Sequence, residues 1–188
     1  MSPSFPLGSQ RGLTLIEVLV TILILSIGLL GMAGLQARLQ QSEMEAYQRA
    51  QALLLLDDMA NRIAANRNAA PAYVTGTSSP LGAGMTCPTS TATQRERDVS
   101  EWCNTLQGVA ETSGTAKVGS MVGARGCVQS LGSNQYMITI AWQGLTPISA
   151  PPSGVACGAN NYNGATGSSC TDDRCRRVVT TIVRVADL

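Results

Sequence analysis

The chain begins with a short polar stretch and then enters a long segment in which almost every residue is apolar. No charged residue occurs between Val18 and Leu35, and most positions are Leu, Ile, Val, Gly or Ala. At about 1.5 Å of rise per residue, about 20 such residues in a helix cross the core of a bilayer. The pattern therefore predicts a membrane-spanning helix. Arg11 favours a cytoplasmic N-terminus, which leaves the rest of the chain on the other side.

The helical pattern continues beyond the apolar segment, so residues 13 to about 67 are predicted to form one helix. No proline interrupts this stretch, and Asn66, Asn68 and Pro71 end it. In the second half, apolar side chains recur at spacings of three, four and seven, which predicts an amphipathic helix with one buried face. The members of this face are Leu39, Ala46, Ala50, Leu53, Ala60 and Ile63.

The C-terminal part of the chain is predicted to be a small mixed domain. Residues 72–101 are rich in Thr, Ser, Gly, Ala and Pro and indicate mostly loop. Residues 98–106 have helical character, and Asp98 is a candidate cap for the start of that helix. We expect the apolar side of this short helix to carry Val99, Trp102 and Leu106.

Three segments have the pattern of strands. Residues 127–131 and 135–143 flank Gly132-Ser133-Asn134, which is a hairpin signal. Residues 176–186 are rich in β-branched side chains and predict a final strand. The result is an α+β fold in which the second half of the long helix covers one face of a small antiparallel sheet. The residues that alternate onto one face of the middle strand are Tyr136, Ile138, Ile140 and Trp142.

Composition argues against catalysis. The formal net charge is +1, which gives no electrostatic reason for nucleic-acid binding. The chain has no histidine, so Ser-His-Asp and Cys-His chemistry and the commonest metal ligand are missing. The adjacent acids Asp172 and Asp173 lack the alternating oxygen ligands of a compact calcium loop. We therefore expect no enzyme activity, no cofactor and no metal.

The six cysteines all follow residue 86, and none forms a Cys-x-x-Cys pair. This usage favours disulfides in an oxidising compartment over a zinc site. Six cysteines allow fifteen connectivities. The predicted pairs are Cys157 with Cys170, which would pin a long polar loop, Cys87 with Cys103, and Cys127 with Cys175.

Glu17 lies near the start of the apolar segment and requires an explanation. A carboxylate deep in a membrane helix costs about 2.5–3.5 kcal/mol, which indicates a function and a partner. The apolar segment contains no cation. Cleavage after Gly12 would free an α-amino group on Leu13, about one helical turn before Glu17. A secretory signal has a shorter apolar core, and a plain signal anchor does not explain the acid.

The sequence RGLTLIEVLV at residues 11–20, followed by the long apolar helix, resembles the class III signal of type IV prepilins. This resemblance implies that prepilin peptidase recognises Gly12 and cleaves after it. It also implies that Leu13 becomes the new, N-methylated N-terminus and that Glu17 aligns subunits for assembly. The chain departs from the family at Leu13, where the family usually has Phe.

A finer resemblance lies in AQALLLLDDMANRIAANRNAA, residues 50–70, which is similar to the helix end of PilV-type minor pilins. It implies a pilin-like fold in four parts. These are a cleaved cytoplasmic leader (1–12), a transmembrane and assembly helix (13–35), an amphipathic second half of the helix (36–70) and a periplasmic head with disulfides (71–188).

The resemblance also implies a function. The chain would be a minor pilin that waits in the inner membrane, single-pass, with its head in the periplasm. It would then join other minor pilins and the major pilin on the inner-membrane assembly platform, to prime or cap a type IV pilus at the cell surface. This role would support twitching motility and adhesion, and no nucleic-acid partner is expected.

Two alternatives share these features. A minor pseudopilin of a type II secretion system has the same leader, acid and helix. A tip adhesin that is dispensable for assembly would present the loop between Cys157 and Cys170, with Asn160, Asn161, Tyr162 and Asn163 as its contact surface.

Overall fold

The computed structural model describes residues 12, 14–109, 112–114, 116–117 and 119–186. These residues fall into two units that separate between Ser42 and Glu43. The fold is α+β, as predicted, with a long N-terminal helix and a small antiparallel sheet. The elements are helix α1 (Leu15–Ala65), a 3-10 helix (Arg67–Tyr73), strand β1 (Leu81–Gly82), helix α2 (Gln94–Leu106) and strands β2 (Thr112–Ser113), β3 (Ala116–Lys117), β4 (Arg125–Gly132), β5 (Gln135–Gln143) and β6 (Arg176–Arg184).

The main sheet has the strand order β1-β4-β5-β6, and every neighbouring pair is antiparallel. Strands β2 and β3 form a separate pair. The predicted hairpin is present, because β4 and β5 are joined through Ser133 and Asn134. These two residues have positive φ angles of 48° and 55°, the conformation that a tight hairpin turn requires. The short strand β1 and the pair β2–β3 carry too few residues to give a period and were not predicted.

The core lies between one face of the sheet and the second half of α1. The predicted β5 face is confirmed, because Tyr136, Ile138, Ile140 and Trp142 are all buried. The buried apolar side chains of α1 are Ala52, Leu56, Met59 and Ile63.

The predicted buried face of α1 is wrong except at Ile63, which is buried, and Ala60, which is partly buried against the core. Leu39 is 53% exposed and Leu53 is 44% exposed, and Ala46 and Ala50 are also exposed. The reason lies in the run of four leucines at 53–56 and in the alanines at 50, 52 and 60. These residues supply apolar side chains to more than one face, so the periodicity does not select the face that packs on the sheet.

Helix α2 begins four residues earlier than predicted, and Asp98 is not its cap. Thr93 caps the helix in a reciprocal arrangement with Glu96, the pattern of a capping box. Asp98 instead lies buried in the second turn. The neighbouring Trp102 ring packs on Gly126 of β4, where a Cβ atom would overlap the ring. Glycine at 126 therefore lets α2 approach the sheet closely.

The structure has three disulfides. Cys87 is joined to Cys103, as predicted. The other two predicted pairs are wrong, because Cys127 is joined to Cys157 and Cys170 to Cys175.

The second face of the sheet explains the Cys127–Cys157 pair. Cys127 stands opposite Thr139 in the β4–β5 ladder, on the face away from the α1 core. The chain around residues 157–162 covers this face, since Gly158 lies against Ala141 and Tyr162 Oη donates to the Gly123 carbonyl at 2.9 Å. Cys157 is thereby held with its Cα atom 5.8 Å from that of Cys127.

A tight turn explains the Cys170–Cys175 pair. Asp172 and Asp173 both have positive φ angles, and Arg174 N donates to the Thr171 carbonyl at 3.0 Å. The turn brings the Cα atoms of Cys170 and Cys175 to 5.2 Å. Spacing along the chain had suggested a bond across the larger loop instead.

We predict that the Cys127–Cys157 and Cys170–Cys175 disulfides differ in their contribution to the free energy of unfolding. Loop-closure entropy gives about 3.6 kcal/mol for the Cys127–Cys157 bond, with a sequence separation of 30, and about 2 kcal/mol for Cys170–Cys175, with a separation of 5. The double variant Cys127→Ser/Cys157→Ser should therefore lose more free energy of unfolding than Cys170→Ser/Cys175→Ser. The measurement is denaturant unfolding of the full chain in mild detergent.

Peptide mapping of the unreduced wild-type chain is the control for connectivity. A linked peptide that joins Cys157 to Cys170 would contradict the structure. A larger loss of unfolding free energy in Cys170→Ser/Cys175→Ser than in Cys127→Ser/Cys157→Ser would contradict the prediction.

Candidate functional site

The start of α1 holds Glu17 in the first turn of a helix. The Thr14 carbonyl accepts the amide of Glu17 at 3.1 Å and that of Val18 at 3.3 Å, which sets the helix start. A carboxylate in the first turn is favoured by the helix dipole. This local interaction offsets part of the cost of placing an acid at the edge of an apolar segment.

Glu17 is exposed, and its carboxylate makes no hydrogen bond or ion pair with any residue that the structure describes. Gly12 is also exposed, as a residue that a peptidase must reach has to be. The predicted partner, the amino group of Leu13, lies outside the described residues. The role of these three residues in processing and assembly therefore stays a prediction.

The apolar segment presents its side chains outward. Its large residues are 43% to 83% exposed between Leu15 and Leu35. The two hydroxyl groups within it are satisfied locally, since Thr21 Oγ1 donates to the Val18 carbonyl at 2.8 Å and Ser26 Oγ to the Ile22 carbonyl at 2.7 Å. Polar groups satisfied by their own helix are what a lipid environment demands.

Within the described part of the chain, α1 is the one helix that is long and apolar enough to cross a membrane, judged by length and composition. The surface of residues 15–35 suits lipid tails or the apolar sides of other helices, because either removes it from water.

Comparison with known proteins agrees with this geometry. Residues 7–33 match the family model of the prokaryotic N-terminal methylation motif. The match indicates a class III signal peptide, as in type IV pilins, and implies processing by prepilin peptidase and a pilus or membrane assembly context. Together with the apolar helix it fits anchoring in the inner membrane. No curated protein and no solved structure matches the chain significantly.

The second unit contains a polar cluster around Asp98 that was not predicted from the sequence. Asp98 is 4% exposed at its side chain and accepts hydrogen bonds from three elements. Arg62 of α1 donates to it at 3.1 Å, Gln94 of α2 donates at 2.8 Å, and Tyr73 of the 3-10 helix donates through its hydroxyl. The cluster therefore joins the end of α1 to α2.

Each member of this cluster is further held in place. Arg62 also pairs with Asp58 at 2.9 Å and with Glu101 at 2.7 Å. Burial, followed by the hydrogen bond to the Asp98 carboxylate, raises the pKa of Tyr73 to about 12. The phenol thus stays neutral and remains a donor at physiological pH. The sequence carried one signal for this site, an acid four residues before Trp102 on the apolar side of α2.

A second polar contact ties α1 to the long segment between β5 and β6. Glu45 Oε1 accepts from the Leu145 amide at 3.2 Å and from Arg177 Nη2 at 3.1 Å. Arg177 Nη2 also donates to the Thr146 carbonyl at 2.7 Å. These contacts orient the start of β6 and the chain that follows β5.

The loop between Cys157 and Cys170, which the sequence suggested as an adhesive surface, packs partly on the sheet. Tyr162 is buried, donates to the Gly123 carbonyl, and lies under the Arg125 guanidinium at 5.1 Å. Asp173 accepts the Asn160 amide at 2.7 Å and donates its own amide to Asn163 Oδ1 at 2.9 Å. The tyrosine is therefore part of the packing on the sheet, whereas the three asparagines of the loop stay exposed.

Metal ligation has no support in the described part of the chain, where no group of three or more His, Cys, Asp or Glu side chains is placed to hold an ion. Asp173, one of the two adjacent acids, is paired with Arg176 at 3.2 Å.

We predict that Tyr73→Phe destabilises the second unit. The change leaves the buried Asp98 carboxylate without one of its donors, which typically costs about 1–3 kcal/mol. The measurement is the free energy of unfolding of the full chain in mild detergent.

Tyr47→Phe is the matched control. Tyr47 is 58% exposed and only accepts a hydrogen bond from Gln51, so this change should shift the free energy by less than about 0.5 kcal/mol. Equal effects of the two substitutions would contradict the assigned role of the cluster.

Proposed function

We propose that this chain is a minor pilin that takes part in type IV pilus assembly as a priming or tip subunit. The observation that carries the proposal is a combination found in one helix. A methylation-type signal at residues 7–33 leads into a helix with an exposed Glu17 and an apolar surface. The same helix then contributes its second half to the core of a head with three disulfides.

The proposed chemistry is assembly rather than catalysis. Cleavage after Gly12 gives Leu13 a positively charged amino group, whether or not that group is methylated. In a low-dielectric bundle of apolar helices, this cation and the Glu17 carboxylate of the same or a neighbouring chain attract each other strongly. The pairing fixes the axial position of one helix against the next, and burial of apolar side chains provides the affinity.

The proposed location follows from the same features. Before assembly the N-terminus lies in the cytoplasm and the head in the periplasm, an oxidising compartment in which disulfides form. Partners are prepilin peptidase, the inner-membrane assembly platform, and other minor pilins and the major pilin through the N-terminal helix. After assembly the chain is at the cell surface, where it supports twitching motility and adhesion.

A minor pseudopilin of a type II secretion system is the second candidate, because the methylation motif fits both classes. The head of residues 71–188 with three disulfides supports the assignment as a type IV minor pilin. The smaller minor pseudopilins generally have shorter heads and fewer cysteines. A strain that lacks the gene separates the candidates. Surface pilus yield is measured by shearing, relative to the total cellular major pilin.

A collapse of surface pili with an intact cellular pool would support the priming role. An unchanged yield would contradict it. In that case, trapped exported proteins in the periplasm would indicate the secretion system, and normal secretion with reduced adhesion would indicate a tip adhesin.

We predict that Glu17→Ala lowers incorporation into pili and leaves membrane insertion and cleavage intact. Loss of an ion pair worth about 1.4 kcal/mol corresponds to about a tenfold fall in incorporation. Insertion should not suffer, because the change removes a carboxylate from the apolar segment. The measurement is the amount of the chain in sheared pili relative to the membrane fraction.

The control is Glu43→Ala, which removes an exposed acid from the same helix beyond the apolar segment. It should enter pili at the wild-type level. Incorporation of Glu17→Ala at that same level would contradict the proposed pairing.

A further inference from the structure

Strand β6 forms one edge of the main sheet, and among the described strands it pairs only with β5. Its hydrogen-bonding pattern can be read from both ends of the ladder. Gly144 donates to the Cys175 carbonyl at 2.8 Å, and Val185 donates to the Asn134 carbonyl at 3.0 Å. Both pairs continue the β5–β6 register. Because antiparallel pairs alternate, the odd-numbered residues of β6 bond to β5.

The Arg176 amide at the start of β6 donates to the Asp173 carbonyl at 3.0 Å. The even-numbered residues after it point their backbone N–H and C=O groups away from the sheet. These residues are Val178, Thr180, Ile182 and Arg184. Among the residues that the structure describes, none makes a hydrogen bond to these outward groups. From 178 to 184 the free edge is about 20 Å long.

The exposed side chains along this edge also favour pairing with another strand. Ile182 is 57% exposed, and Thr180 and Arg184 are exposed as well. A long edge with free backbone groups and an exposed large apolar residue is a template for another strand. In strand addition the backbone supplies the affinity, and every second side chain supplies the specificity.

Charge indicates which kind of strand fits. Arg176 and Arg177 at the start of β6 are paired with Asp173 and Glu45. Arg184 at the other end has no ion-pair partner in the described residues. Strand β6 itself contains no acid. When two copies of β6 pair antiparallel with at least seven of its nine residues overlapping, Arg184 faces a residue between 174 and 178. None of these residues is an acid and three are arginines, so a second copy is a poor complement.

We propose that the outer edge of β6 is a docking site for an extended segment of a different subunit, one that carries an Asp or Glu opposite Arg184 and an apolar residue beside Ile182. The inference rests on the proposed function, because its partner is another subunit of the same assembly. It adds a contact between heads to the contact between N-terminal helices.

Amide hydrogen exchange tests the backbone pairing directly. The probe is the complex of the full chain with the other minor pilins of the same bacterium, compared with the full chain alone in detergent. The amides of Thr180 and Ile182 should exchange fast in the isolated chain and at least about tenfold more slowly in the complex. The amides of Val179, Thr181 and Val183 should be protected in both samples.

Equally fast exchange of Thr180 and Ile182 in both samples would overturn the proposal. Protection in the isolated chain that grows with its concentration would identify a second copy as the occupant and would also overturn it.

Substitutions test the consequence for assembly. Thr180→Pro removes one outward donor and none of the β5–β6 bonds, so incorporation into pili should fall at least about fivefold, whereas Thr180→Ala should be neutral. Arg184→Glu should also reduce incorporation and serves if the proline variant fails to fold. Arg174→Glu, which reverses another exposed arginine, is its control and should have no effect.

Wild-type levels of both Thr180→Pro and Arg184→Glu in pili would overturn the inference. The proposed function is judged separately, by the behaviour of the wild-type chain and of Glu17→Ala in the same pili.

Discussion

The second unit depends on the contact between one stripe of α1 and one face of the sheet. Leu56, Met59 and Ile63 are almost completely buried, as are Ile138 and Ile140 of β5. Full burial of one such side chain contributes about 1.5–3 kcal/mol. Helix α2 extends the same core through Trp102, whose indole N–H donates to the Leu55 carbonyl at 2.9 Å. A tryptophan that binds the backbone of α1 fixes both the rotation and the height of that helix relative to α2.

Helix α1 is also required to suit two environments. Between 52 and 63 its buried stripe is covered by the chain itself, whereas between 15 and 35 its large side chains are exposed. The apolar side chains of residues 15–35 suit contact with lipid or with other helices, because either removes them from water. Glu17 lies in the stretch where the surrounding molecules are not part of the chain. This is why the role proposed for its carboxylate concerns assembly, whereas the buried Asp98 joins elements of the fold. The Arg62–Asp98 pair is weak evidence for net stability, because the cost of removing two charges from water offsets their attraction.

Much of this structure could be predicted from the sequence where the signal is local and periodic. The extent of α1, the hairpin at Ser133–Asn134 and the inward face of β5 follow from uninterrupted helical pattern, turn chemistry and strict alternation. The N-terminal signal was predictable because Gly12, Glu17 and the apolar run occur at fixed spacing. The buried face of α1 was not, because leucines and alanines occupy several of its faces. The Asp98 cluster was not, because its donors come from three separate elements. Two disulfides were missed because the decisive fact, that residues 157–162 cover the second face of the sheet, is a long-range contact.

The three disulfides follow the order of the cysteines along the chain, which the predicted pairs did not. Cys87 joins Cys103, Cys127 joins Cys157 and Cys170 joins Cys175, so every cysteine is bonded to its immediate neighbour in the cysteine series. Of the fifteen connectivities that six cysteines allow, this is the one obtained when each thiol reacts with the next thiol to follow it. If the cysteines are oxidised in the order in which they occur along the chain, starting at Cys87, each reaches its final partner with no thiol–disulfide exchange. Such a chain has no need of an isomerase to correct its pairing.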